Sequence, residues 1–169
     1  ARLVASRATG EFPPPSVKEG VRALLRAGGF KPAGRNKPAS EYLAQAAREG
    51  RFPVINNAVD CNNLVSLETG LPISVLDAAA FGLVAGVPDT SPLRIHLRPG
   101  DPGESYVFNQ SGQEIDLEGL LSVCAMTPGR PDGRPLGNAV KDSMAGKLRE
   151  DTHDIIGVIY GNAASLGST

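Results

Sequence analysis

Apolar residues recur at helical spacing through the first third of the chain and gather into short strand-like runs after it. Val17, Val21, Leu24 and Leu25 share one helix face, which Gly28-Gly29 ends. Ahead of them, Ser16-Val17-Lys18-Glu19 has the spacing of a capping box, and Pro13-Pro14-Pro15 forms a stiff extended lead-in. A second helix is expected from near Pro38 to Gly50, with Leu43, Ala46 and Ala47 as its buried stripe. A third runs from about Val59 to Thr69, with Gly70 as a left-handed cap and Pro72 preventing continuation. Beyond it, Ile73 to Leu76, Leu93 to Leu97, Ser105 to Phe108 and Leu121 to Ala125 read as short strands between Gly, Pro, Asp and Asn punctuation. Asp154 to Tyr160 is β-branched enough to be a central strand. The pattern predicts an α+β fold, with N-terminal helices packed on a mostly antiparallel β-sheet.

Length changes that picture little: 169 residues suit one domain, divided into a basic helical part at about 1–51 and a helix-and-sheet part at about 52–161. Aromatic residues are 5% and Trp is absent, so Leu, Val, Ile and Ala must build the core. No apolar run approaches the roughly 18 residues that span a bilayer, and the expected location is the cytoplasm. Cys61 and Cys124 stand apart from each other and from His, and are expected to be buried reduced thiols rather than metal ligands.

Charge changes it more. The net charge is −1, but residues 1–51 carry ten Lys/Arg against four Asp/Glu, a balance of +6, and the remainder carries seven against fourteen, a balance of −7. A polyanionic partner at one end would suit that asymmetry, and so would a solvated basic helix face. The short cationic segment Gly34-Arg35-Asn36-Lys37 lies between the first two helices, so Arg35 and Lys37 are the candidate contacts for such a polyanion.

The common catalytic signatures are absent: no GxSxG elbow, Walker loop, HExxH or Rossmann glycine fingerprint. His96 and His153 lie far apart in strand-like or loop settings and read as structural or surface residues. What stands out is the polar stretch from Asn56 to Glu68, where Asn56, Asn57, Asp60, Asn62, Asn63, Ser66 and Glu68 interrupt an apolar region. On a helix Asp60, Asn63 and Ser66 or Leu67 share one face, able to orient a water or hold an amino group. Capping by Asn56 or Asn57 explains one of these residues but not all of them.

The run Val59-Asp60-x-x-Asn63-x-Val65-x-Leu67-Glu68-x-Gly70-x-Pro72, ending at Asp77, resembles the editing (B3/B4) domain in the beta subunit of bacterial phenylalanyl-tRNA synthetase. A looser resemblance, including Arg35-Asn36-Lys37-Pro38 and Thr152 after Glu150, spans about residues 30–160. No synthetase catalytic or anticodon-binding module accompanies it within these residues, so the resemblance is to a freestanding form.

The resemblance implies hydrolysis of the ester joining a wrong amino acid to the tRNA 3′ end, with mischarged tRNA as partner and no DNA, membrane, obligate protein partner, metal or cofactor. Asn63 falls where the family has a pocket asparagine. Ser74 falls where the synthetase domain has a histidine. The synthetase's glycine pair and the Ser-Glu-Val-Thr-Glu run after it are replaced by the segment containing Lys141, Asp142 and Ser143. Asn63, Asp60 and Ser74 are therefore the catalytic candidates, and Asn57, Ser66, Asp77, Lys141, Asp142 and Ser143 the substrate-binding ones. A tyrosyl-tRNA(Phe)-like or a canavanyl-tRNA substrate fits the resemblance, and for a guanidinium side chain Asp60, Asp77 or Asp142 would supply the acid. An aminoacyl ester is already activated, so a positioned water and a polarised carbonyl go far without a strong nucleophile. The competing functions are a non-catalytic tRNA- or RNA-binding module and a small-molecule hydrolase or sensor on the same fold.

Overall fold

A computed structural model of the chain describes residues 1–86 and 92–163. Residues 164–169 of the expected domain lie outside the described residues. The chain opens with α1 (Arg2–Ala8), α2 (Pro15–Arg26), a 3-10 turn (Gly34–Asn36), α3 (Ala39–Arg48) and α4 (Asn57–Thr69). There follow β1 (Ile73–Asp77), α5 (Ala78–Ala85), β2 (Ile95–Pro99), β3 (Ser105–Val107), β4 (Glu114–Asp116), β5 (Leu121–Thr127) and β6 (Arg130–Asn138). A second 3-10 turn (Met144–Gly146) and β7 (Ile155–Ile159) complete it. Every strand pair is antiparallel, which makes the protein α+β as its pattern predicts. The strands form three small sheets rather than one, ordered β1-β7, β2-β5-β6 and β3-β4.

Local chemistry sets the helix ends, with one correction. The Ser16–Glu19 capping box does not form: α2 begins at Pro15, its N-cap is Pro14, and no side chain caps it. Proline in the first turn presets φ and has no N–H to satisfy, so the box is dispensable. Glu19 instead accepts a hydrogen bond from Arg26 at 2.6 Å. α4 is capped fully. The Asn56 side chain accepts from the Val59 N–H at 2.9 Å, and Gly70 closes the helix at φ +79°, a conformation open to glycine.

Strand β7 is also not central. It pairs with β1 alone, and Ile155, Gly157 and Ile159 remain exposed. In α3, Ala46 and Ala47 of the expected stripe are buried, but Ala44 joins them in place of Leu43, which is half-buried. Cys124 is buried, but Cys61 lies exposed on α4 because its position faces away from the stripe through Ser66 and Leu67.

Two hydrophobic clusters hold the fold. The larger joins Leu25 and Phe30 to Leu76, Phe81, Leu120, Val123, Leu136 and Tyr160, so it links α2, β1, α5 and the three-stranded sheet. The smaller gathers Phe12, Ala44, Ala47 and Leu67, with Leu3, Val4 and Phe52 packed against them. Among the described residues no helix is long and apolar enough to cross a membrane.

Candidate functional site

Alternation along β1 turns Ser74 and Leu76 inward, and Ser74 pairs opposite Val158 of β7. Its Oγ lies 2.5 Å from Asp142 Oδ1, 3.0 Å from the Tyr160 hydroxyl and 3.2 Å from the Asn138 carbonyl. Asn138 builds the turn that presents Asp142. Its Oδ1 accepts from the Val140 and Lys141 amides at 2.8 and 2.9 Å, and its own N–H donates to Asp142 Oδ1 at 3.2 Å. The Asn138 side-chain amide donates to the Tyr106 hydroxyl, which donates to the Lys141 carbonyl at 2.6 Å. Gly137 permits this crowding: a Cβ there would stand 2.9 Å from Asp142 Oδ1 and 3.2 Å from Ser74 Oγ.

Burial pushes the Asp142 carboxyl up to about 7, against the opposing hydrogen bonds of Ser74 and the Asn138 and Val75 amides and the charge of Lys147. Burial likewise raises Tyr106 and Tyr160 well above the ordinary phenol value, so both stay neutral donors. The result is a hydroxyl held against a carboxyl that exchanges its proton near neutral pH.

Around this cluster the candidate residues separate. Asn63 occupies the inward stripe of α4, one turn before buried Ser66 and Leu67. It is half-buried, and its side-chain amide makes no hydrogen bond among the described residues. The neighbouring Asn62 donates to the Ile73 carbonyl at 3.3 Å, which docks α4 beside the strand carrying Ser74. Ser66 is committed to the Leu71 carbonyl at 2.6 Å, and Asn57 is the exposed first residue of the helix. Asp60 accepts from the Ile55 N–H at 2.8 Å and borders an apolar cavity with Val4, Ala8, Phe52 and Leu64, without contact to Ser74 or Asp142. Asp77 caps α5 through the Ala80 N–H at 2.9 Å and accepts from Thr152 Oγ1 at 2.5 Å. Burial raises the Asp77 pKa, but Thr152, the Ala80 and Ala79 amides and Arg149 outweigh it and hold the carboxyl below its ordinary value.

The cationic loop is anchored to α3: the Tyr42 hydroxyl donates to the Gly34 carbonyl, and Lys37 donates to Gln45 while lying over the Tyr42 ring. Arg35 stays exposed and shares a cavity of about 500 Å³ with Lys141. A second cavity, about 560 Å³, is lined by Tyr106, Ser143, Met144, Ser105, Glu114 and Arg134. Ser143 also caps the turn at Met144 through the Ala145 N–H.

The structure thus joins Ser74 to Asp142 and Arg35 to Lys141, and leaves Asp60, Ser66 and Asp77 in structural bonds. Sequence reasoning missed Asn138, Tyr160 and Tyr106. The available signal was that a tyrosine ending or interrupting an apolar strand needs a partner for its hydroxyl.

Comparison with known proteins agrees with this architecture. A phenylalanine–tRNA ligase beta subunit from Nitrosospira multiformis (strain ATCC 25196 / NCIMB 11849 / C 71) is 30% identical over 137 residues. That match covers 75% of this chain and 16% of the ligase subunit, so the chain spans about a sixth of that relative's length. The B3/4 domain model matches residues 30–160, a span that holds α3, α4, all seven strands and the whole Ser74–Asp142 cluster. The chain belongs to the B3/4 domain family.

Proposed function

We propose that the protein is a deacylase that hydrolyses the ester of mischarged aminoacyl-tRNA. The observation that carries this reading is the Ser74–Asp142 pair, a hydroxyl and a near-neutral carboxyl 2.5 Å apart in a chain related to a tRNA ligase subunit. In this reading water adds to the ester carbonyl, and Asp142 receives its proton through Ser74 Oγ. The carbon–oxygen bond to the ribose then breaks, and the proton passes to the leaving hydroxyl, giving free amino acid and uncharged tRNA. Asn63, whose amide is uncommitted, donates to the carbonyl oxygen as charge develops there. The residues bound up in caps, Asp60 and Asp77, are positioning residues for α4 and α5.

Purified protein tested against a panel of mischarged tRNAs, tyrosyl and canavanyl species included, should release at least one amino acid. Ser74→Ala, Asp142→Asn and Asn63→Ala should each lower that rate by about 10²-fold, the range for one general base or one oxyanion donor, while remaining folded. A folded Asp142→Asn variant with the wild-type rate places the chemistry elsewhere. Binding of uncharged tRNA with no release across the panel favours a non-catalytic RNA-binding module.

A further inference from the structure

Composition and position disagree at one strand. Ile155-Ile156-Gly157-Val158-Ile159 is apolar and rich in β-branched residues, the make-up of a strand with neighbours on both sides. Yet β7 has β1 on one side and, among the described residues, no strand on the other. The hydrogen bonds fix which backbone groups are left over. The Tyr160 N–H donates to the Pro72 carbonyl and the Ala78 N–H to the Asp154 carbonyl, each at 3.0 Å, with Val158 opposite Ser74 and Ile156 opposite Leu76. Bonded positions alternate along an antiparallel pair, so Ile156 and Val158 face β1, and the N–H and C=O groups of Ile155, Gly157 and Ile159 point away from it. Among the described residues nothing bonds to those groups.

A strand edge is ordinarily blunted by a lysine, a proline, a bulge or an inward-pointing charge. β7 has none of these: its register with β1 is unbroken, and no charged residue or proline stands between Asp154 and Ala163. Ile155 and Ile159 are 51% and 61% exposed, and a Cβ at Gly157 would meet nothing within 4 Å, so the outer side of the strand is open. Such an edge is a template for another strand. The sequence itself says which one. About Gly157 the run reads almost the same in both directions, as Ile-Ile-Gly-Val-Ile. Laid antiparallel against a second copy with Gly157 opposite Gly157, it sets Ile155 opposite Ile159 and Ile156 opposite Val158. This register uses the left-over groups, because the Gly157 pair and both Ile155–Ile159 pairs each exchange two bonds. The two Asp154 residues fall at opposite ends of the ladder, roughly 20 Å apart, so no like charges meet.

We infer that β7 pairs edge to edge with β7 of a second copy, joining two two-stranded sheets into one of four strands, ordered β1-β7-β7-β1. Ile155 then packs beside Ile159 across the two-fold axis, and β7 takes the central place its composition calls for. One strand makes a small interface, so the dimer is weak and forms in the micromolar range or above. Sedimentation velocity and amide hydrogen exchange, run on the purified protein from micromolar to millimolar concentration, test this. The mass should move from monomer towards dimer. The Ile155, Gly157 and Ile159 amides should gain protection with concentration, while the Ile156 and Val158 amides, bonded to β1, stay protected throughout. In a mixture of labelled and unlabelled protein, an intermolecular NOE should join the Ile156 and Val158 Hα protons, which come close in this register. Gly157→Pro removes an N–H that points away from β1, and Ile159→Lys adds a charge to the edge. Each should weaken association by about tenfold or more and leave the melting temperature of the dilute monomer unchanged. A monomer at every concentration, or a dimer that both folded variants still form, overturns the inference. So does protection of the Gly157 amide that is independent of concentration, since another segment of the chain would then cover the edge.

Discussion

Asp142 gains a proton on folding at neutral pH, and that has opposite consequences for stability and for chemistry. Its carboxyl moves from an ordinary value of 3.8 to about 7 because the folded protein strips it of water. A pKa raised by folding favours the folded state fully below the unfolded value, and the benefit is lost as pH climbs through the folded one. Wild-type stability should therefore fall between about pH 4 and pH 7 relative to Asp142→Asn, which cannot ionise there. Urea unfolding of both proteins across that range checks it, and parallel curves would show that Asp142 is solvated. Comparing the pair cancels the opposite slope of Asp77 and Glu104, whose lowered pKa values favour the folded state at higher pH. Proton acceptance needs the ionised form, so deacylation should rise with pH through the same interval. Little of this was legible in sequence. Asn63 stood out by spacing and Ser74 by its place in a resemblance, but Asp142 was one acid among several. Its pairing with Ser74 joins residues 68 positions apart, and depends on a turn that Asn138 shapes from within.

At the scale of elements, patterning served where a helix has a polar face and caps, and failed where a helix has no polar face or prolines crowd the strand. α4 was visible from its residues because Asn56 and Gly70 bracket it. α5 was not, since Ala78 to Ala85 is apolar all round and lacks a helical period, with apolar Ala79 and Leu83 standing on its exposed side where a polar residue would have marked the face. β6 was masked by Arg130-Pro131-Asp132-Gly133-Arg134-Pro135, which reads as turn punctuation. What holds the β2 side of that strand is a buried ion pair rather than apolar pattern. Arg98 donates to both Glu104 oxygens at 2.7 and 2.8 Å, and reaches the Asp132 and Gly133 carbonyls at 2.8 and 3.2 Å. Glu104 also accepts from Arg130 and from the Asp101 N–H. Arg98→Ala leaves a largely buried carboxylate and two carbonyls without their main donor. It should cost about 3 kcal/mol of stability, the lower end for breaking a buried pair. Chemical denaturation measures this directly, and a loss under 1 kcal/mol would mean that Arg130 and water replace the missing guanidinium.

For the molecule as a whole, the first 29 residues pose the sharpest question, because they precede the part that matches the B3/4 domain family. Their side chains are nevertheless built into both hydrophobic clusters. Leu25 is fully buried in the larger one, and Phe12, Leu3 and Val4 cover Ala44, Ala47 and Leu67 in the smaller. Polar ties run the same way: Arg7 donates to the Glu68 carbonyl at 3.2 Å, Arg48 to the Phe12 carbonyl at 3.1 Å, and Asn162 to the Gly20 carbonyl at 2.9 Å. Removing residues 1–29 would expose Leu67 on the very face of α4 that carries Asn63, and would open the C-terminal end of that helix at Glu68. Burial of side chains the size of Leu25 and Phe12 is worth about 1.5–3 kcal/mol each, a large share of the 5–15 kcal/mol that keeps a domain folded. A chain starting at Phe30 should thus melt well below the full protein, and the amides of α4 should exchange faster than those of β5. If Asn63 belongs to the site, the truncated protein should lose deacylation even at temperatures where its sheets stay intact. A fragment of residues 30–169 that matched the full chain in melting temperature and in α4 protection would show that the basic helices are an appendage, and that the site is complete without them.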